Sequence, residues 1–119
     1  MLKEIILDGV TYTTKQEATE EQDGRRYCII RTYSAGVFAG YIDIESIKEK
    51  AAYIYDSRRI FYWTGACSLS QLATEGSKDL DNCKIAVNVS ETFLSEIIEV
   101  IPCYAAPKSD IQGANEWKK

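Results

Sequence analysis

Two short segments hold the residues whose types and spacing could do chemistry. Arg31-Thr32-Tyr33-Ser34-Ala35-Gly36 places an arginine at the end of an extended run, just before a turn of small residues. Such a turn leaves backbone N–H groups and open space, and amides joined by a guanidinium fork make a site for a phosphate or carboxylate. The plainer alternative is an ordinary hairpin turn with the arginine packed along its stem. Arg58-Arg59-Ile60-Phe61-Tyr62-Trp63 interleaves guanidinium and aromatic groups. On a strand, Arg59, Phe61 and Trp63 share one face, and Arg58, Ile60 and Tyr62 the other. Arg59 with Phe61 and Trp63 could stack a planar base and pair its phosphate. In the plainer reading the rings fill the core and Arg59 stands at its rim. The candidate ligand-binding residues are therefore Arg31, Tyr33, Ser34, Gly36, Arg58, Arg59, Tyr62 and Trp63. Arg31 and the turn Ser34 to Gly36 would cradle the anion, Arg58 or Arg59 would pair a second charge, and Tyr62 or Trp63 would stack the base.

Signals for catalysis are poor. The chain has no histidine for acid–base work near neutral pH, and no nucleophile elbow, phosphate-binding loop or dinucleotide fingerprint. Glu96 and Glu99 form a carboxylate pair that reads as a solvated surface. The chain is therefore expected not to be an enzyme; one using carboxylates or a cysteine is the weakest of the readings weighed. Cys28, Cys67, Cys83 and Cys103 show no paired spacing, and no secretory signal is read at Met1-Leu2-Lys3-Glu4, so reduced thiols are expected. No metal and no cofactor is expected.

The elements that must position these residues read as mostly β. Of 119 residues, 45% are hydrophobic and 11% aromatic, including eight tyrosines, which is material for a packed core. Residues 3–14 read as a hairpin about Asp8-Gly9, and 15–26 as a polar, mobile connection. Residues 27–33 and 37–44 form a second hairpin, in which Gly40 marks a bulge or a close backbone approach. Residues 45–50 read as a turn or one helical turn. Residues 51–56 and 58–63 read as a third hairpin about Asp56-Ser57. Ser68-Leu69-Ser70-Gln71 fits a capping box that opens a short helix with Leu69, Leu72 and Ala73 on its apolar stripe, and Gly76 ends it. Residues 83–89 alternate, with Ile85, Val87 and Val89 on one face. Residues 92–101 read as a single last strand, with a helix as the rival reading. The tail from Cys103 starts a short helix and then frays. The expected fold is α+β, an antiparallel sheet or open barrel of about six to eight short strands with one or two short helices. It divides into an N-terminal hairpin and connection over 1–26, a core over 27–103, and a polar C-terminal tail over 104–119.

Arg31-Thr32-Tyr33-Ser34-Ala35-Gly36-Val37-Phe38-Ala39-Gly40 resembles the signature of a family of short phage and prophage proteins of unknown function. That family carries an Ala-Arg-Arg block followed by Trp, Gly-Ala and Ser-Leu. It is matched here by Ser57-Arg58-Arg59, Trp63, Gly65-Ala66 and Ser68-Leu69, with Leu72-Ala73 following. The family's Glu-x-Ile-Pro close is matched by Glu99-Val100-Ile101-Pro102. The resemblance covers roughly residues 27–103 and departs at Ser57 and over Ala51 to Tyr55. It implies a bacteriophage or prophage origin and no known activity. In size and arginine–aromatic content only, the chain is similar to phage proteins that sequester nucleotide immune signals, as the Thoeris anti-defence proteins do.

The net charge of −4 opposes nonspecific binding to nucleic acid, and no apolar run of about 18 residues is present to cross a membrane. The expected function is that of a non-enzymatic binding protein for a small anionic, nucleotide-like ligand. It would work in the host cytoplasm as a homo-oligomer with the site at an interface. The alternative is a module that binds a host or phage protein through the same arginine and aromatic surface.

Overall fold

A computed structural model describes the backbone of residues 4–7 and 10–13 and the whole of residues 24–118. Strands β1 (Glu4–Leu7) and β2 (Val10–Thr13) pair antiparallel, with Leu7 opposite Val10, so the first expected hairpin is present. The connection expected over 15–26 falls outside the described residues up to position 23.

A six-stranded antiparallel sheet carries the rest, and it is open rather than closed into a barrel. It is built from β3 (Arg26–Thr32), β4 (Val37–Ile42), β5 (Ala52–Tyr62), β6 (Lys84–Ile85), β7 (Val89–Leu94) and β8 (Ile97–Pro102). β8, β3, β4 and β5 lie side by side, and β7 and β6 pair with successive stretches of the far edge of β5. Two short helices, α1 (Leu69–Thr74) and α2 (Ala105–Gly113), complete it.

The sheet is buried on both faces, for different reasons. Tyr27, Ile29, Ala39 and Ile60 form one apolar face, covered by Leu69, Leu72 and Ala73 of α1 and Ile111 of α2. Cys28, Ile30, Phe38, Ile42, Ala52, Ile54, Leu94 and Ile97 form the other, and every one lies on or beside a strand of the same sheet. That face is covered by curling. Flat, β7 and β8 would stand four strand spacings apart, about 19 Å. Only Ser95 and Glu96 separate them, and the step from Leu94 to Ile97 spans at most about 11 Å. The edges must therefore roll toward each other, with the second apolar face inside the curl.

Three expectations are corrected. The hairpin expected about Asp56-Ser57 is one continuous strand. Tyr55 stands opposite Tyr41 and Arg58 opposite Ala39, so Asp56 and Ser57 face the single residue Gly40: a bulge, with Asp56 at φ +48°. A β carbon on Gly40 would lie 3.1 Å from the Ser57 Cα, so Gly40 does mark a close approach. The single strand expected over 92–101 is two, split at Glu96 (φ +59°), and they pair with different partners. The alternation of Ile85, Val87 and Val89 does not survive either: β6 is two residues long, Ile85 is buried and both valines are exposed.

The helix α1 follows its capping signals. Ser68 Oγ accepts from Gln71 N at 3.1 Å, while Gln71 Oε1 accepts from Cys67 N rather than from Ser68. The short helix expected to start at Cys103 is α2, which runs to Gly113, buries Pro107 and Ile111 and is tied to α1 by the Tyr104 N–H donating to Ala73 O. Pro107 stands in the first turn, where no amide is needed.

Candidate functional site

Strand pairing decides which candidate residues meet. Residues directly opposite across antiparallel strands share a face. Arg31 is opposite Val37, and Val37 opposite Ile60. Ile30 is opposite Phe38, and Phe38 opposite Arg59. Arg31 and Arg58 therefore belong to the helix-covered face and Arg59 to the curled one. The expected convergence of Arg31 with Arg58 or Arg59 on one ligand does not occur: Arg59 lies on the opposite face and Arg58 is buried.

The β3–β4 turn is closed by its own groups. Thr32 N donates to Gly36 O and Ala35 N to Thr32 Oγ1, both at 3.0 Å. Tyr33 N donates to Glu96 O at 2.9 Å, while its ring stands 78% exposed. Arg31 Nε pairs with Glu99 Oε1 at 3.1 Å, and the Ser34 hydroxyl donates to the Glu96 carboxylate. Amides at Tyr33 and Ala35 are thus spent, and two carboxylates face the turn. Gly36, at φ +95°, completes the reversal. This arrangement suits a closed hairpin better than a cradle for an anion.

Arg58 is 3% exposed and has a structural role. Its Nη1 donates to Ile111 O and Ala114 O, both at 2.7 Å, its Nε to Ala86 O at 2.7 Å and its Nη2 to Ile85 O at 3.3 Å. The cation lies at the C-terminal end of α2, where Ile111 O also accepts from Ala114 N at 3.3 Å, so helix dipole and hydrogen bonds act together. Trp63 is half-buried against the helix-side core. Tyr62 is exposed, with Lys84 Nζ 5.9 Å from its ring centre.

Arg59 remains on the surface. Its guanidinium carbon lies 4.7 Å from the Phe38 ring centre and 5.8 Å from that of Phe61. Among the described residues it has no carboxylate partner. These three side chains form one wall of a cleft of about 340 Å³, completed by Ser57, Ala86, Val87, Val89 and Thr92. Ser57 and Thr92 hydroxyls bond each other at 2.9 Å. Phe61 is 52% exposed, Val87 and Val89 are exposed beside it, and Trp117 meets the Phe61 ring at 5.3 Å. The sequence reading found Arg59 and Phe61. It missed Phe38, Val87, Val89 and Thr92, whose only signal is strand order.

The interior thiols are not poised for chemistry. Burial pushes Cys28 and Cys103 up to about 12, and it also pushes the Tyr27 phenol upward. Among the described residues no cluster of His, Cys, Asp and Glu is close enough to hold a metal, and no helix is long and apolar enough to cross a membrane.

Residues 25–111 match the model of a family described as Domain of unknown function (DUF6948). The chain belongs to this family. The matched stretch takes in the whole six-stranded sheet, α1 and most of α2, and it contains every residue of the Arg59 cleft. No curated protein and no solved structure matches the chain.

Proposed function

We infer that this member of the family is a small non-enzymatic binding protein whose ligand joins a planar ring to an anionic group, as a nucleotide does. The observation that carries the reading is the Arg59 guanidinium held against the rings of Phe38 and Phe61 at the mouth of the 340 Å³ cleft. Packing against rings fixes the flat face of a guanidinium and leaves its N–H edge for a phosphate or carboxylate. The volume is at the lower end of ligand-sized pockets. A half-open cleft of this size gains walls if a second copy packs on it, so a homo-oligomer belongs to the reading. The resemblance at Arg31 to Gly40 supports a phage or prophage origin, hence action in the bacterial cytoplasm and sequestration of a nucleotide-like host signal.

A specific observation favours a second reading. Phe61, Val87, Val89 and Trp117 are exposed together around a single arginine, the composition of an interaction hot spot. A thermal-shift screen of linear and cyclic nucleotides and ADP-ribose derivatives separates the two. A ligand at about 100 times its Kd adds about 2.7 kcal/mol, several degrees in a domain of this size. Such a shift in the native protein, reduced or absent in Arg59→Ala, supports the small-ligand reading. A blank panel rejects it in favour of a protein partner, to be sought by pull-down with native and Arg59→Ala protein.

A further inference from the structure

A second cleft, on the other face of the sheet, combines cations and rings more densely than the Arg59 site and shares no residue with it. It encloses about 410 Å³, and its lining includes Arg25, Asp43, Lys48, Tyr53, Tyr55 and Phe93. Tyr55 stands opposite Tyr41, and Tyr41 opposite Tyr27, which places Tyr55 on the face away from Arg59. Tyr53 lies two residues before Tyr55 on the same strand face, and its partner across the ladder is Phe93.

The parts are already arranged for a ligand. Arg25 is stacked on Tyr55, its guanidinium carbon 3.6 Å from the ring centre. That stacking holds the fork in one plane and keeps its donors for an oxyanion. The rings of Tyr53 and Phe93 lie 4.8 Å apart, tilted at 59°, and both are exposed although each is large and apolar. Lys48 adds a second positive charge. The one carboxylate in the lining, Asp43, has an oxygen occupied by the Glu45 amide at 3.0 Å. Glu91, opposite Tyr55 on β7, is not part of the lining. Two cations against one carboxylate, beside an exposed ring pair, match a planar aromatic ring that carries an anionic group.

We propose that the Arg25–Lys48–Tyr53–Phe93 cleft is a binding site for a nucleoside monophosphate, with Arg25 and Lys48 on the phosphate and Tyr53 and Phe93 against the base. The site goes beyond the Arg59 reading and stands or falls apart from it.

The test is calorimetric titration of the whole chain with AMP, GMP and UMP, with adenosine as the uncharged control. The variants are Arg25→Met, Phe93→Ser, Tyr53→Ser and Arg59→Met, each first shown to melt as the native protein does. The expected result is saturable binding of at least one monophosphate. Arg25→Met, and either ring variant that folds, should weaken it tenfold or more, Arg59→Met should leave this Arg25-dependent binding unchanged, and adenosine should bind at least tenfold more weakly. Absence of binding by all three monophosphates overturns the proposal. So does binding that survives Arg25→Met and the ring variants. If binding is lost in Arg59→Met alone, the nucleotide site is the Arg59 cleft and this one is rejected.

Discussion

Removing the guanidinium of Arg58 would take the donor from the carbonyl oxygens of Ala86 and Ala114 and leave those of Ile85 and Ile111 with their backbone donors alone, Trp117 N and Ala114 N. Arg58→Met is therefore expected to cost about 2–4 kcal/mol in a denaturant titration, whereas Arg59→Met should cost under about 1. Equal costs would mean that the two neighbours do not differ in role. The thiols give a second residue-scale prediction. Cys28 and Cys103 have pKa values raised by burial, so the folded state holds protons that the unfolded chain releases. Their contribution is fully present below about pH 9 and is lost as pH rises toward 12, each group removing up to about 1.4 kcal/mol per pH unit in that window. Melting curves from pH 7 to 11 should be flat and then fall. A melting temperature that holds to pH 11 would contradict the burial of both. At this scale the alternation in the sequence set Arg59 and Phe61 against Arg58 and Ile60, as found, but it put Trp63 with Arg59, whereas Trp63 packs on the helix-side core. The bulge at Asp56-Ser57 shifts the alternation along β5, so that Tyr53 and Tyr55 share a face with Arg58 rather than with Arg59.

At the scale of elements, the segments Arg31 to Gly40 and Ser57 to Ala73 mostly build the fold. Gly40 admits Ser57 at the bulge, and a β carbon on Gly65 would lie 2.6 Å from the Asp79 amide nitrogen. Ser68 caps α1, Leu69, Leu72 and Ala73 bury it, and Arg58 holds the end of α2. These residues serve the fold more than a ligand, whereas Arg59 is left exposed in the lining of a cleft. Gly40→Val is expected to destabilise by about 1–3 kcal/mol, since the Ser57 and Tyr55 backbone would have to move. A neutral result in a thermal melt would show that β4 and β5 do not approach as described. The helix α1 was legible because its cap, stripe and stop are local signals. The split at Ser95-Glu96 was not, because Glu96 takes a left-handed turn conformation without a glycine to announce it. The partners of β7 and β8 are set by strand order, which periodicity does not encode.

For the whole molecule, the curl of the sheet and the seating of α2 decide stability and site together. Residues read as a polar tail supply Pro107 and Ile111 to the interior and the carbonyls that Arg58 binds. Deleting residues 104–119 should abolish the cooperative melt, and a truncated chain that melts as the full one does would remove α2 from the fold's core. The composition had shown a mostly β chain with a real core, and a short helix was expected to start at Cys103, but its place in the core was hidden because α2 buries only Pro107 and Ile111. The clefts depend on which strands are neighbours, so they too become visible only in three dimensions. The most direct test of the central claim, that the Arg59 cleft is a ligand site, is an NMR titration of isotope-labelled protein with linear and cyclic mononucleotides, following arginine side-chain and aromatic signals. The account predicts that a bound nucleotide shifts Arg59 Nε–Hε and the rings of Phe38 and Phe61 while Arg58 and Arg31 stay in place. Unmoved Arg59, Phe38 and Phe61 signals across the panel, or shifts centred on Arg31 and its turn, would contradict it.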